Sequence, residues 1–224
     1  MIALAAAAVL MPAGSLREVK VREPLPRVYH LDFPSRRLLA STFLRFQESY
    51  ESPRFRGKVF SREEFLAWYG RTPKGTKSDY FDWDGFNVPS SVFAPFYAGK
   101  YDPLDENEKA LLALFKEARG PYYVIGTSGK GSDPGTLRHE LAHARYFIDP
   151  GYRADALALL KTVDLKPVYA MLEKLGYHRA VWDDEAHAWL GDDDSDLKDE
   201  GLDPAPYREL KKKLRALYRK SAAR

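Results

Sequence analysis

Residues 136–143 read Thr-Leu-Arg-His-Glu-Leu-Ala-His, and the two histidines spaced by four constrain this chain more than any other feature. On an α-helix, positions i and i+4 lie on one face about one turn apart, so His139 and His143 can present their imidazoles to one ion. Glu140, one step round, stands beside that ion without having to bind it, where it can accept a proton from a water. Zinc takes such nitrogens at about 2.0–2.1 Å and prefers four-coordinate geometry, so Zn2+ is the expected cofactor. The flanks agree with a helix: Thr136 is a reasonable cap, and Leu141 and Ala142 are uncharged. Ahead of it lie an apolar strand, Tyr122–Gly126, and a loop over 127–135 that holds three glycines.

A catalytic zinc of this kind needs a third protein ligand and an open fourth position. Asp149 follows too closely and reads as a turn or cap residue before Pro150. Within Trp182–Leu190, Glu185 places a carboxylate in an apolar, Ala-rich helix, where burying it unpaired is costly and coordination relieves the cost. Glu185 is therefore the expected third ligand, with His187 and His178 as alternatives. An acidic first turn favoured by the helix dipole also accounts for Asp183–Glu185. Asp183 or Asp184 is placed to orient a ligand imidazole.

The pattern His139-Glu140-x-x-His143, followed several dozen residues later by a glutamate on a second helix, resembles the gluzincin branch of zinc metallopeptidases. The resemblance covers about residues 121–190. It implies a zincin-like fold with an edge strand before the active-site helix. It also implies His139, His143 and Glu185 as zinc ligands and Glu140 as general base. Tyr122–Gly126 would then be the strand along which an extended peptide binds, through Tyr123, Val124 and Gly126. Arg145 departs from the pattern, standing where such peptidases carry an apolar residue. The longer metzincin motif is not continued, since Tyr146 and Asp149 occupy its glycine and final histidine positions. An oxyanion donor is also needed; Tyr146, Tyr169, Tyr177, His178 and Arg179 qualify by position, and His178 is the catalytic candidate.

Strands early and helices late indicate an α+β chain. Residues 17–33 read as one or two short strands broken around Pro24 and Pro26. Helices are expected from Ser35 to Tyr50, from a Ser61-x-x-Glu64 capping box to Tyr69, and over 105–118. The aromatic-rich stretch 70–103 reads as irregular but ordered. Further helices are expected at 136–148, 151–162, 166–175, 179–190 and 204–220. Residues 16–224 are taken as one domain, with a strand- and aromatic-rich half (16–135) and a helical half (136–224).

Residues 1–15 form an apolar tail or a signal-like segment. The run Ile2–Ala13 is too short to span a membrane, and no Lys or Arg precedes Arg17 as a signal peptide requires. A cytoplasmic location is expected, with export the alternative if residues 1–15 act as a signal peptide.

The 224 residues contain no cysteine, which excludes disulfides, thiolate metal sites and cysteine nucleophiles. A formal net charge of +3 makes no demand for a nucleic acid or anionic membrane. The loop after the strand lacks the spacing of a phosphate loop. Residues 207–224 carry eight Lys or Arg against Glu209, a net of +7, with an apolar stripe at helical spacing. A docked terminal helix with a solvated basic face explains them. Residues 183–203 carry ten acids against Lys198 and read as an exposed acidic loop without a calcium-loop pattern. The resulting expectation is a zinc-dependent hydrolase acting on a peptide or protein. The alternative is a non-catalytic protein that binds a metal or a partner at a vestigial site.

Overall fold

Pro26 and Arg27, the latter at φ 63°, turn the chain between β1 (Lys20–Leu25) and β2 (Val28–Phe33). The two strands pair antiparallel, and their register slips between Arg22 and Leu25, where Pro24 has no N–H to give the ladder. The computed structural model describes residues 16–72, 74–76, 79–129 and 134–222. The apolar run Ile2–Ala13 lies outside the described residues.

Next comes α1 (Arg36–Glu51), capped by the Ser35 hydroxyl, which accepts the Leu38 N–H. The helix α2 (Arg62–Tyr69) starts at the expected reciprocal Ser61–Glu64 capping box. The aromatic-rich stretch is more regular than its composition indicates, since it holds β3 (Gly85–Pro89) and a short helix, α3 (Ala94–Tyr97). A second capping box, Asp105 with Glu108, opens α4 (Glu106–Phe115), and β4 (Tyr123–Ser128) follows.

The rest is helical: α5 (Pro134–Ile148), α6 (Pro150–Leu160), α7 (Lys166–Leu175), α8 (Trp182–Gly191), α9 (Asp194–Asp199) and α10 (Arg208–Ala222). Asp149 caps α6 by accepting the Tyr152 N–H, as its place before Pro150 indicates. The left-handed Gly176, at φ 90°, ends α7. The supposed acidic loop contains α9, whose Leu197 is buried. Among the described residues no helix is long and apolar enough to cross a membrane.

The sheet has the order β1-β2-β4-β3, with β2 and β4 parallel and the outer pairs antiparallel. This corrects the expectation of an edge strand before the motif helix. The strand β4 is interior, paired on both sides and buried at all six residues. Its side chains alternate between two cores. Val124 joins the cluster formed with α1, which includes Leu39, Phe43, Phe86 and Val88. Tyr123 and Ile125 face the other way, with Val28 and Ala144 of α5. Gly126 is required by close approach: a Cβ there would lie 2.6 Å from both Leu39 Cδ1 and Phe43 Cε2. A third cluster, with Tyr152, Leu172, Ala186, Leu190 and Leu214, holds the C-terminal helices together. The architecture is thus α+β, with α5 between the sheet and the helical half.

Candidate metal centre

The apolar face of α5 fixes the direction of its polar one. Leu137, Leu141, Ala144 and Ile148 pack on the sheet core, which leaves His139 and His143 facing α8. Their Nε2 atoms stand 3.1 Å apart. Each ring's other nitrogen meets a carboxylate: His139 Nδ1 lies 2.6 Å from Asp192 Oδ2, and His143 Nδ1 lies 3.0 Å from Asp184 Oδ1. A neutral imidazole that donates from Nδ1 keeps a lone pair on Nε2. Both lone pairs therefore face one point. Glu185 Oε2, 3.8 Å from His143 Nε2, faces it too and has no hydrogen-bond partner among the described residues. His139, His143 and Glu185 each offer a ligand atom, all within 4.8 Å of one another. Glu185 and His143 are each only 2% exposed. Three lone-pair donors converging on one point, with His143 and Glu185 buried and the Glu185 oxygen unpartnered, are what a cation would neutralise, so the residues fit a metal.

Protonation tells the same story from the metal-free side. Burial pushes the Glu185 carboxyl up to about 7 against the pull of His143 and His139. Burial alone would lower both imidazoles. Asp192 nevertheless holds His139 above its usual value, and Asp184 with Glu185 holds His143 well above it. In the absence of a metal, protons supply the missing positive charge.

Glu140 is held beside this cluster by β3. Asn87 Nδ2 donates to Glu140 Oε2 at 2.5 Å, and the Tyr123 hydroxyl donates to Asn87 Oδ1. A Cβ on Gly85 would lie 2.6 Å from Glu140 Oε1 and from Thr136 Cγ2, so the backbone of β3 touches the carboxylate. Burial raises the Glu140 carboxyl as well, opposed by both imidazoles. The edge strand at the centre is thus β3, not Tyr122–Gly126. Its outward Asn87 N–H is already taken by Gln47 Oε1 of α1 at 3.0 Å.

The substrate contacts expected of β4 are overturned. Tyr123 is buried and supports Asn87, while Val124 and Gly126 pack against α1. His178 is not with the cluster of Nε2 atoms: its Nδ1 accepts the Ala180 N–H and caps a short 3-10 turn. The neighbouring Tyr177 is turned inward, and burial with the fields of Glu185, Glu51 and Glu140 raises its phenol well above 10. His187 lies behind the centre. Its Nε2 is 2.7 Å from the Tyr152 hydroxyl and its Nδ1 is 3.8 Å from Asp184 Oδ1. Of the two acids proposed as orienters, Asp184 reaches an imidazole, while Asp183 accepts from the Tyr169 hydroxyl at 2.6 Å. Arg145 faces α10, with Nη1 2.5 Å from Ser221 Oγ and its guanidinium over Tyr218. Its departure from the peptidase pattern therefore falls outside the metal centre.

Three contributors escaped the sequence reading, the first being Asn87, which holds Glu140. Asp192, assigned to an exposed loop, is 6% exposed and holds His139, while its neighbours Asp193 and Asp194 are exposed. Glu51, on α1, is buried, bonded to Gln47 Nε2 at 2.6 Å, and raised by burial and by Glu185. The available signal was Gln47 and Glu51 one turn apart at the end of an otherwise apolar face.

An opening of about 230 Å³ beside His139 is lined by Gly135, Thr136, Trp189, Asp192 and Asp196. Comparison with family models, with curated proteins and with solved structures finds no match.

Proposed function

We propose that the chain is a zinc-dependent metallohydrolase with a zincin-like site, and that it cleaves peptide bonds. The observation that carries this reading is the convergence of His139 Nε2, His143 Nε2 and the unpartnered Glu185 Oε2, with Glu140 pinned alongside. These three residues would hold the metal, and a donor set of two imidazoles and a carboxylate suits zinc while leaving a position for water or substrate. When bound, zinc polarises a carbonyl and brings the pKa of water toward about 7. Glu140 takes a proton from the attacking water and returns it to the leaving amine. Its raised proton affinity suits both tasks. Asn87 holds one carboxylate oxygen, leaving the other to turn toward the water. The Tyr177 phenol, kept protonated by burial and by the fields of Glu185, Glu51 and Glu140, is taken as the oxyanion donor.

The test is Glu140→Gln. Zinc stoichiometry should stay at one per chain, while cleavage of a peptide library falls by about 10²–10⁴-fold, since this change removes the base. Full activity in the variant would remove Glu140 from the chemistry.

A second reading, metal binding without turnover, is favoured by one feature. The Asn87 N–H, on the edge where an extended peptide would add, is occupied by Gln47. A cobalt-substituted sample with closed four-coordinate spectra and no response to added peptide would decide for it.

A further inference from the structure

Behind α5, on the side facing the C-terminal helix, lies a cavity of about 370 Å³ that none of His139, His143 and Glu185 lines. The size falls within the roughly 300–1,000 Å³ of small-molecule sites. Ala142 of α5, Ala188 of α8 and Leu214 of α10 give it an apolar wall. Charge enters from three guanidiniums, those of Arg138, Arg215 and Arg219, and from Asp192 and Asp193, so the formal sum over these groups is +1.

The hydrogen bonds show which of those charges remain to be satisfied. Arg138 commits Nε to Asp192 and Nη2 to Asp193. Arg215 commits Nε to the Gly191 carbonyl and Nη2 to the Asp192 carbonyl. Asp192 and Asp193 are thereby engaged. Arg215 Nη2 also lies 3.7 Å from Asp193 Oδ1. Among the described residues, Nη1 of both arginines and the Arg219 guanidinium have no protein partner. All three side chains reach solvent, so these donors are open to a ligand. The guanidinium fork matches a carboxylate in two-point geometry, and pairs of this kind are among the stronger hydrogen bonds. An apolar pocket with one uncompensated positive charge at guanidinium donors selects a monoanion with an apolar body.

We propose that this cavity binds a small monocarboxylate bearing an aliphatic chain, its head on Arg219 with the free Nη1 groups and its tail against Leu214, Ala142 and Ala188. The two sites share Asp192, which bonds Arg138 and Arg215 on this side and His139 on the other, but none of the three ligand residues His139, His143 and Glu185 lines this cavity.

The test uses the full chain stripped of metal, titrated calorimetrically with sodium octanoate below its micellar range. One octanoate per chain should bind. Acetate, which has the head without the tail, and octylammonium, which has the tail with the opposite charge, should each bind at least about tenfold more weakly. Arg219 is exposed, so Arg219→Glu keeps the fold, as circular dichroism will check, and should weaken octanoate by at least about tenfold. Lys220→Glu, the adjacent exposed residue outside the cavity, should leave it unchanged. Absence of a saturable octanoate signal, equal binding of octylammonium, or an Arg219→Glu protein with wild-type affinity would each overturn the proposal. A failure of zinc to bind would leave every one of these readings intact.

Discussion

On the proposed reading, removing the Asp192 carboxylate should weaken metal binding at a site whose ligands do not include Asp192. Its Oδ2 sits 2.6 Å from His139 Nδ1. That contact favours the proton on Nδ1 and directs the Nε2 lone pair toward the point it shares with His143 and Glu185, where the proposed cation would sit, so the carboxylate sets both tautomer and ring orientation. Loss of such a partner typically lowers metal affinity by about 10–100-fold, or about 1.4–2.7 kcal/mol. Asp192→Asn should fall near the lower end, because an amide oxygen still accepts from Nδ1 but carries no charge. Asp192→Ala, which loses the acceptor, should approach the upper end. The main-chain carbonyl of Asp192, held by Lys211 Nζ at 2.7 Å and by Arg215, is untouched by either change, so the turn after α8 should persist. Asp193→Asn serves as the control, because Asp193 pairs with Arg138 and Arg215 but not with an imidazole. The assay is competition for zinc against a chromophoric chelator at pH 7.5, with circular dichroism to verify folding. Wild-type affinity in both Asp192 variants, or an equal loss in Asp193→Asn, would refute the assignment of His139 Nε2 as a ligand atom.

Three further expectations separate the assignments. Tyr177→Phe should lower kcat by about 10²-fold with zinc content retained, whereas His178→Ala should change kcat less than about twofold; the reverse order would restore His178 as the donor. In the metal-free protein, Glu51, Glu140 and Glu185 have folded pKa values raised above their ordinary 4.5, and His139 and His143 above 6.5. The folded chain therefore binds more protons than the unfolded one, and stability falls as pH rises through the folded values. His30 and His187, lowered by burial, oppose this only near and below 6.5. Calorimetric Tm without metal should thus drop as pH rises through and above about 7, while the gain on adding zinc should grow over the same rise. A metal-free Tm that climbs with pH there would contradict the buried cluster. Finally, Gly126→Ala forces a methyl into Leu39 and Phe43 and should cost about 1–3 kcal/mol, read as a lower midpoint in urea.

What could be read from residues alone was local. Helical spacing brings His139 and His143 together whatever surrounds them, and Ser35, Ser61 and Asp149 announce helix starts through hydrogen bonds three residues long. Glu185 was legible because, although it follows Asp183 and Asp184, it leads into an Ala- and Trp-bearing helix where burying a carboxylate unpaired is costly. Strand order was not legible. Tyr122–Gly126 looks the same whether it lies at an edge or in the interior, and the difference rests on Gly85–Pro89, a five-residue strand with glycine and proline at its ends. Asp192 was hidden by its company, since three successive aspartates read as solvated and only the turn after α8 singles out the first. His178 and Tyr177 are adjacent, and only the backbone conformation after Gly176 decides which of them faces inward.

Lys211 and Arg215 hold the Asp192 carbonyl, and Asp192 holds His139, which precedes it by 53 positions. During translation, the imidazoles leave the ribosome well before the basic helix that braces their carboxylate. On the proposed reading, a nascent chain halted before that helix would carry His139, His143 and Glu185 without the brace on Asp192, and would hold zinc more loosely than the finished chain.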